Sequence, residues 1–453
     1  MWVPLLFWYA INPYVSPDSY WYLTAAQAIR TDTWRENYVW NRTPGYPAFI
    51  AVMSWVSDRY LLEIVSLAQI VLVVWTLSKL QVQILKNQSD INRINQIRKA
   101  FRFSYAISFV LLGGYLTALL PQAIIAVSLT WQVILYLRIQ SEDKMSLKSF
   151  ITFLFAVAIS YLIHPILAIS ALISPLLHLT SRMIQHRTLK QEQLYKLGLV
   201  FLGGVSLFAS VHLLWSGIAK ENAAIQVQMR IKESFQINNE WKTNPQNKQN
   251  PSKSEIYMSD LYEKQQVLKR NALVTDPLFT QSIIRPILDN PISVISNMPK
   301  LFVVNMIGSP NHGPNVSIGF YRMFSGESQC VVAPTAVVLS ASNGLLRNLN
   351  YGCKSAFVPL TSGILDSIFK TVYLVSWIIA TGLLIRIALK ILVRGLNGLI
   401  ICFIPLAFIG VYTVLQSNEN RYGAPALPLL LMFGSGLSDI RPQKSRNKKR
   451  VDL

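Results

Sequence analysis

Apolar residues along this chain gather in long unbroken runs rather than in the three-to-four spacing of a helix with one wet face. LLEIVSLAQIVLVVWTLSKL and GLNGLIICFIPLAFIGVYTVL both reach the roughly 20 residues that a bilayer crossing needs. Taken in order, the runs predict an all-α polytopic membrane protein with about ten transmembrane helices, at 1–12, 60–84, 103–119, 121–137, 149–163, 165–180, 197–219, 364–385, 396–416 and 422–438.

Between the runs, polar stretches differ in charge. KNQSDINRINQIRKAFR carries five basic residues against one acid, SRMIQHRTLKQEQLYK four against one, and the tail DIRPQKSRNKKRVDL six against two. A short turn with Arg386, Lys390 and Arg394 is basic only. The first loop, 13–59, is balanced, with Arg30, Arg35, Arg42 and Arg59 against Asp18, Asp32, Glu36 and Asp58. If both termini are cytoplasmic, an even number of crossings puts every strongly basic connection on one side. The far side then receives the first loop, the Pro121 turn, the His164–Pro165 turn, the 220–355 region and SNENRYGAP.

Four parts follow: an N-terminal transmembrane core at 1–219 with the first loop inside it, a non-cytoplasmic region at 220–355, C-terminal transmembrane helices at 356–438 and a basic cytoplasmic tail at 439–453. The front of the polar region, 237–255, is rich in Asn, Gln, Lys and Pro and reads as a flexible loop. SDLYEKQQVLKRNAL reads as an amphipathic helix, and the Pro-punctuated apolar stretch 276–308 as interfacial helices. A further crossing at VVAPTAVVLSASNGLL would break the charge parity and is rejected. No internal repeat suggests an inverted-repeat transporter.

Composition agrees with the pattern. Hydrophobic residues make up 52% and charged residues 14%, and the mean hydropathy is +0.35. A soluble domain carries about 25% charged residues. The net charge of +20 is the total of the basic connections, not a basic patch interleaved with stacking aromatics, so nucleic acid is not expected as a partner. Cys402 lies inside an apolar run and reads as packing. Cys330 and Cys353 are close enough in sequence to be bridged if their region faces an oxidising compartment. MWVPLLFWYAI lacks the basic start of a cleavable signal and reads as a first helix whose beginning is missing.

Candidate chemistry collects on the far side. In SPDSYWYLTAAQAIR, Ser16 suits an N-cap, Pro17 the first turn, and Asp18 the positive end of a helix dipole. Trp21, Ala25 and Ile29 share one face, with Ser19 and Arg30 off it, so this is an amphipathic helix for the membrane interface. Asp18 either merely starts the helix or acts as a general base at the membrane surface. In RTPGYPAF, Pro44, Gly45 and Pro47 form a rigid turn re-entering the membrane, with Arg42 at its mouth. Arg42 either snorkels to the interface or offers its guanidinium to a phosphate. Arg421 in ENRYGAPALP is a second cation at another outer boundary. His164 reads as a turn residue rather than a catalytic one. No HExxH, CxxC pair or P-loop is present.

An early Asp with an aromatic helix (PDSYWY), then RTPGYPAF and finally NRYGAPALPLL resemble the GT-C membrane glycosyltransferases, closest to the branch of protein O-mannosyltransferases and the lipid A aminoarabinose transferase. ALLPQAIIAVSLTWQVILYLR and AISYLIHPILAISALI are similar to that family's middle helices. The resemblance covers about 1–220 and 364–438. It implies a polyprenyl-phosphate sugar donor (dolichyl phosphate in eukaryotes), a protein, lipid or glycan acceptor, and inverting transfer on the non-cytoplasmic face. Asp18 would be the catalytic base, Arg42 the donor-phosphate contact and Arg421 a second one, with Tyr22, Tyr46, His164 and Tyr422 lining the pocket. The location implied is the plasma membrane of a bacterium or the endoplasmic reticulum of a eukaryote. Relatives often carry a second acid after the first and another at the fourth helix start, where this chain has Ser19 and Gln122, so divalent metal is not supported as a cofactor. The alternatives are a multi-pass transporter or lipid flippase, and an inactive family member serving as a partner subunit.

Overall fold

The computed structural model describes residues 17–33, 43–58, 60–86, 90–117, 119–141, 146–184, 191–218, 362–394, 400–414 and 423–435, with a few isolated positions near 300. Every regular element among them is helical: α1 (Pro17–Arg30), α2 (Gly45–Val56), α3 (Leu61–Leu85), α4 (Ile91–Thr117), α5 (Gln122–Ser141), α6 (Leu147–Ile163), α7 (Pro165–Ile184), α8 (Gln191–Ile218), α9 (Ser362–Arg394) and α10 (Ile400–Val414). A 3-10 turn, Ala424–Ala426, then runs into α11 (Leu427–Gly434).

Three segments are long and apolar enough to cross a bilayer: Leu61–Leu85, Gln122–Ile139 and Leu197–Leu214. The other apolar helices are shorter. Most expected runs reappear within a few residues, but three boundaries move, one of them the start of the run expected at 197–219, which lies at Gln191. The helix expected at 103–119 begins at Ile91, so much of the basic linker is helical. Ile97, Ala100 and Phe101 give that stretch a three-to-four apolar spacing and are buried. The basic turn with Arg386, Lys390 and Arg394 is not a turn; it is the last part of the 33-residue α9. The expected span 1–12, the amphipathic and interfacial helices of 220–355, the rejected crossing at VVAPTAVVLSASNGLL, Cys330 and Cys353 lie outside the described residues. Cys402 is buried in the main core, as its apolar run implies.

α5 is the most enclosed of the three long helices, while α8 turns most of its side chains outward. α3 and α5 run parallel: Leu61, Leu62 and Val65 pack with Leu119, Leu120 and Ile124, and farther along Trp75 stacks on Trp131 with centroids 5.6 Å apart. α7 packs against α10, and α4 against α11.

Side-chain bonds fix which helix ends lie together. Ser19 Oγ donates to the Leu119 carbonyl at 2.8 Å, Thr43 Oγ1 to the Ile163 carbonyl at 2.9 Å, and Gln69 Nε2 to the Leu116 carbonyl at 3.0 Å. His164 Nε2 and Tyr412 Oη pair at 3.2 Å, and Tyr161 Oη and His212 Nδ1 at 2.7 Å. The starts of α1, α2, α3, α5 and α7 thus share one end of the bundle with the closing turns of α4, α6, α8 and α10. At the other end, Ser435 Oγ meets Ser104 Oγ at 2.8 Å and the Ala100 carbonyl at 3.3 Å.

α1 differs from the interfacial helix the pattern suggests. Tyr22, Leu23, Ala25, Ala26 and Ala28 are all buried, divided between two apolar clusters, and Ser19 is fully buried rather than turned off the packed face. Small alanines allow this close packing on both sides. Tyr46 Oη donates to Gln69 Oε1 at 3.0 Å, so Gln69 ties α2 to the end of α4.

Gln69→Leu should remove both bonds and leave the Tyr46 hydroxyl buried without its acceptor. We expect a loss of about 1–3 kcal/mol in thermal unfolding of the detergent-solubilised chain. Thr76→Val, which removes only bonds to its own helix turn, should cost less.

Candidate functional site

The site is built where the first loop meets the bundle end. α1 opens with Pro17, whose fixed φ suits the first turn, and its N-terminal amides favour an anion there. Asp18 lies in that first turn. Its neighbour Ser19 is fastened to the Leu119 carbonyl, in the connection between α4 and α5. Asp18 therefore sits beside the Pro121 turn, on the backbone of an element packed into the bundle.

α2 is held more tightly still. A Cβ on Gly45 would stand 2.8 Å from Ile163 N and from the Leu162 carbonyl carbon and oxygen. Only glycine allows two backbones to approach this closely. With Thr43 bonded to the same Ile163 carbonyl, the TPG segment lies against the last turn of α6. Arg42 lies outside the described residues, one position before Thr43.

His164 forms the break between α6 and α7. Its backbone is extended (φ −162°, ψ 121°) and its N–H bonds the Ser160 carbonyl at 2.8 Å, while Pro165 starts α7. Its ring meets Tyr412, near the end of α10. Arg421 and Tyr422 lie outside the described residues, just ahead of Gly423 and the final 3-10 turn, which packs on α5.

Of the expected pocket residues, Tyr22 and Tyr46 are brought together edge to face, with centroids 5.1 Å apart. Both belong to the cluster that holds α1 and α2 to α3. Tyr46 is fully buried; it seats α2 and carries the bond to Gln69. Gln122, at the start of α5, is 5% exposed, and its Oε1 has no hydrogen-bond partner among the described residues.

Several participants were not singled out from the sequence. Tyr412, Tyr161 and His212 form two Tyr–His contacts with the end of α6, and Gln69 and Gln132 carry the buried amide bonds. Gln132 Nε2 reaches Ser160 Oγ at 2.8 Å and the Leu167 carbonyl at 3.1 Å, spanning the two arms of the α6–α7 hairpin; Ser128 Oγ joins at 2.7 Å. The signal for all of them was a polar side chain inside an apolar run, which a bilayer tolerates only when it is paired or functional. Arg30 and Asp58, counted only as balancing charges, form an ion pair between α1 and the end of α2.

Among the described residues no group of three His, Cys, Asp or Glu side chains stands together to hold a metal ion. No family model, curated protein or solved structure matches the chain.

Gly45→Ala should force the two backbones apart. We expect a loss of about 1–3 kcal/mol and a lower unfolding midpoint. Gly410→Ala, where nothing lies within 4 Å of the added Cβ, should be close to neutral in the same measurement.

Proposed function

We propose that the chain is a multi-pass membrane glycosyltransferase that moves a sugar from a polyprenyl-phosphate donor to an acceptor hydroxyl on the non-cytoplasmic face, with inversion. The observation that carries this reading is that the helix opening on Asp18 and the turn following Arg42 are fastened to one and the same bundle end, beside His164 and Tyr412. The sequence resemblance to GT-C transferases supports it, because the quoted motifs occur in the family's order.

In the reaction, the Asp18 carboxylate takes the proton of the acceptor hydroxyl. The acceptor oxygen forms a bond to the anomeric carbon as the bond from that carbon to the phosphate oxygen breaks. Polyprenyl phosphate departs, and Arg42 and Arg421 offset the charge that develops on it. The leaving group is already activated, so no nucleotide is required.

The accompanying topology has ten crossings with both termini cytoplasmic, which sets the basic segments 86–102, 182–196, 386–394 and 439–453 on the cytoplasmic side. The membrane is the plasma membrane in a bacterium or the endoplasmic reticulum in a eukaryote, and the acceptor is a protein, lipid or glycan. The transporter or flippase reading draws on the buried Gln132–Ser128–Ser160 group. That group carries no charge and its bonds pin α5 to α6 and α7, so the transferase is the better supported of the two.

Asp18→Asn should abolish sugar transfer while the protein remains folded and inserted; retained transfer would remove Asp18 from the base role. Arg42→Ala should raise the KM for the lipid-linked donor more than that for the acceptor, and equal effects would count against a phosphate contact. A topology reporter fused at Ser252 should read non-cytoplasmic, and a cytoplasmic signal would overturn the arrangement. The substrate is found by mass spectrometry of glycolipids and glycoproteins from a deletion strain, where one sugar modification should be missing; an unaltered profile would favour the transporter.

A further inference from the structure

We infer that the first turns of α4, at the bundle end opposite the first loop, form a docking surface for the phosphate headgroups of anionic phospholipids. α4 contains no Asp or Glu along its whole length. Arg98, Lys99 and Arg102 are all exposed. Residues three or four apart on a helix are neighbours, with Cβ atoms about 5–6 Å apart, so Arg102 stands over both Arg98 and Lys99.

Like charges at this spacing repel, and nothing described nearby neutralises them. The helices packed on α4 are α3, α5, α9 and α11. Their acids are Glu63 at the start of α3 and Asp366 in the second turn of α9, both at the far end; α5 and α11 have none. Asp90 accepts the Asn92 N–H at 2.9 Å and so caps the helix. Among the described residues the only ion pair is Arg30–Asp58, at the other end of the bundle. The triad is therefore a cluster of cations whose counter-charge comes from outside the described chain.

The position of the triad selects a lipid over a dissolved anion. Directly after Arg102 the helix turns apolar: Phe103 is 45% exposed, and the remainder of α4 to Thr117 carries no charge. A cationic stretch that gives way within one residue to an exposed aromatic ring marks the level where headgroups meet hydrocarbon. Two guanidinium forks and an ammonium there suit phosphodiester oxygens. This surface is remote from the proposed transfer site and does not depend on it.

The test uses the full-length chain in a neutral detergent, with its unfolding midpoint followed as phosphatidylglycerol or phosphatidylcholine is added. On this account phosphatidylglycerol raises the midpoint by about 2 °C or more near saturation and phosphatidylcholine does not. Replacing all three cations (R98Q/K99Q/R102Q) should weaken the apparent affinity for phosphatidylglycerol about a hundredfold, at roughly fivefold per cation. A charge-matched control at exposed cations elsewhere, K79Q/K148Q/R386Q, should keep most of the effect. The 439–453 tail is the same in every variant and drops out of the comparison. Equal loss in both triple variants, no loss in either, or equal stabilisation by inorganic phosphate would overturn the inference. Should the triple variant not fold, R98Q and R102Q singly, each expected to weaken binding about fivefold, decide the question in the same way.

Discussion

The last carbonyls of a helix have no partner within it, and in a bilayer water cannot supply one. Here the first loop and α3 supply partners at one end of the bundle. Ser19 serves Leu119, Thr43 serves Ile163, and Tyr46 orients Gln69, which serves Leu116. The loop is thereby built into the bundle end rather than laid over it. Gly45 is the tightest point: a methyl group there would collide with the backbone of α6. Whatever chemistry the first loop carries is held by these contacts against the ends of α4 and α6.

The hairpin is itself braced from three sides. Gln132 crosses between its arms from α5, Tyr412 approaches His164 from α10, and His212 approaches Tyr161 from α8. Interhelical bonds of this kind contribute only about 0.6 kcal/mol each on average. Their value lies in direction, because each specifies which neighbour and which turn a helix must meet. Apolar packing against Leu, Ile and Phe would leave that choice open. The two ends of the bundle thus differ in kind: one knits helix ends to the first loop, the other exposes cations at the start of α4.

The helical architecture was legible because apolar runs are long and polar connections are punctuated by Pro, Gly and charge. α3, α5, α6 and α7 fall close to the positions read from the sequence. The errors came where charge outweighed periodicity. Arg93, Arg98, Lys99 and Arg102 made 86–102 look like a linker, although Ile97, Ala100 and Phe101 carry a helical stripe into the core. Likewise Arg386, Lys390 and Arg394 looked like a turn while the helix ran through them. In the candidate site Pro44, Gly45 and Pro47 read as one turn in the sequence, whereas Gly45 and Pro47 already belong to the first turn of α2, and Gly45 is where that helix meets the backbone of α6. Gln69, Tyr412 and His212 were missed because a lone polar residue in an apolar run does not reveal which distant carbonyl or ring it will meet.

The central claim is that the position of Asp18 and the position of Arg42 share one pocket. It is tested most directly by cross-linking D18C/R42C in a full-length background with the native cysteines replaced by serine, using bifunctional thiol reagents of graded length, with S19C/L119C as the positive control. The account requires D18C/R42C to be joined by linkers of about 10 Å or shorter, the span from a base on the acceptor hydroxyl across the reacting carbon to a cation on the departing phosphate. A pair that stays unlinked at that length while the control is captured would contradict it.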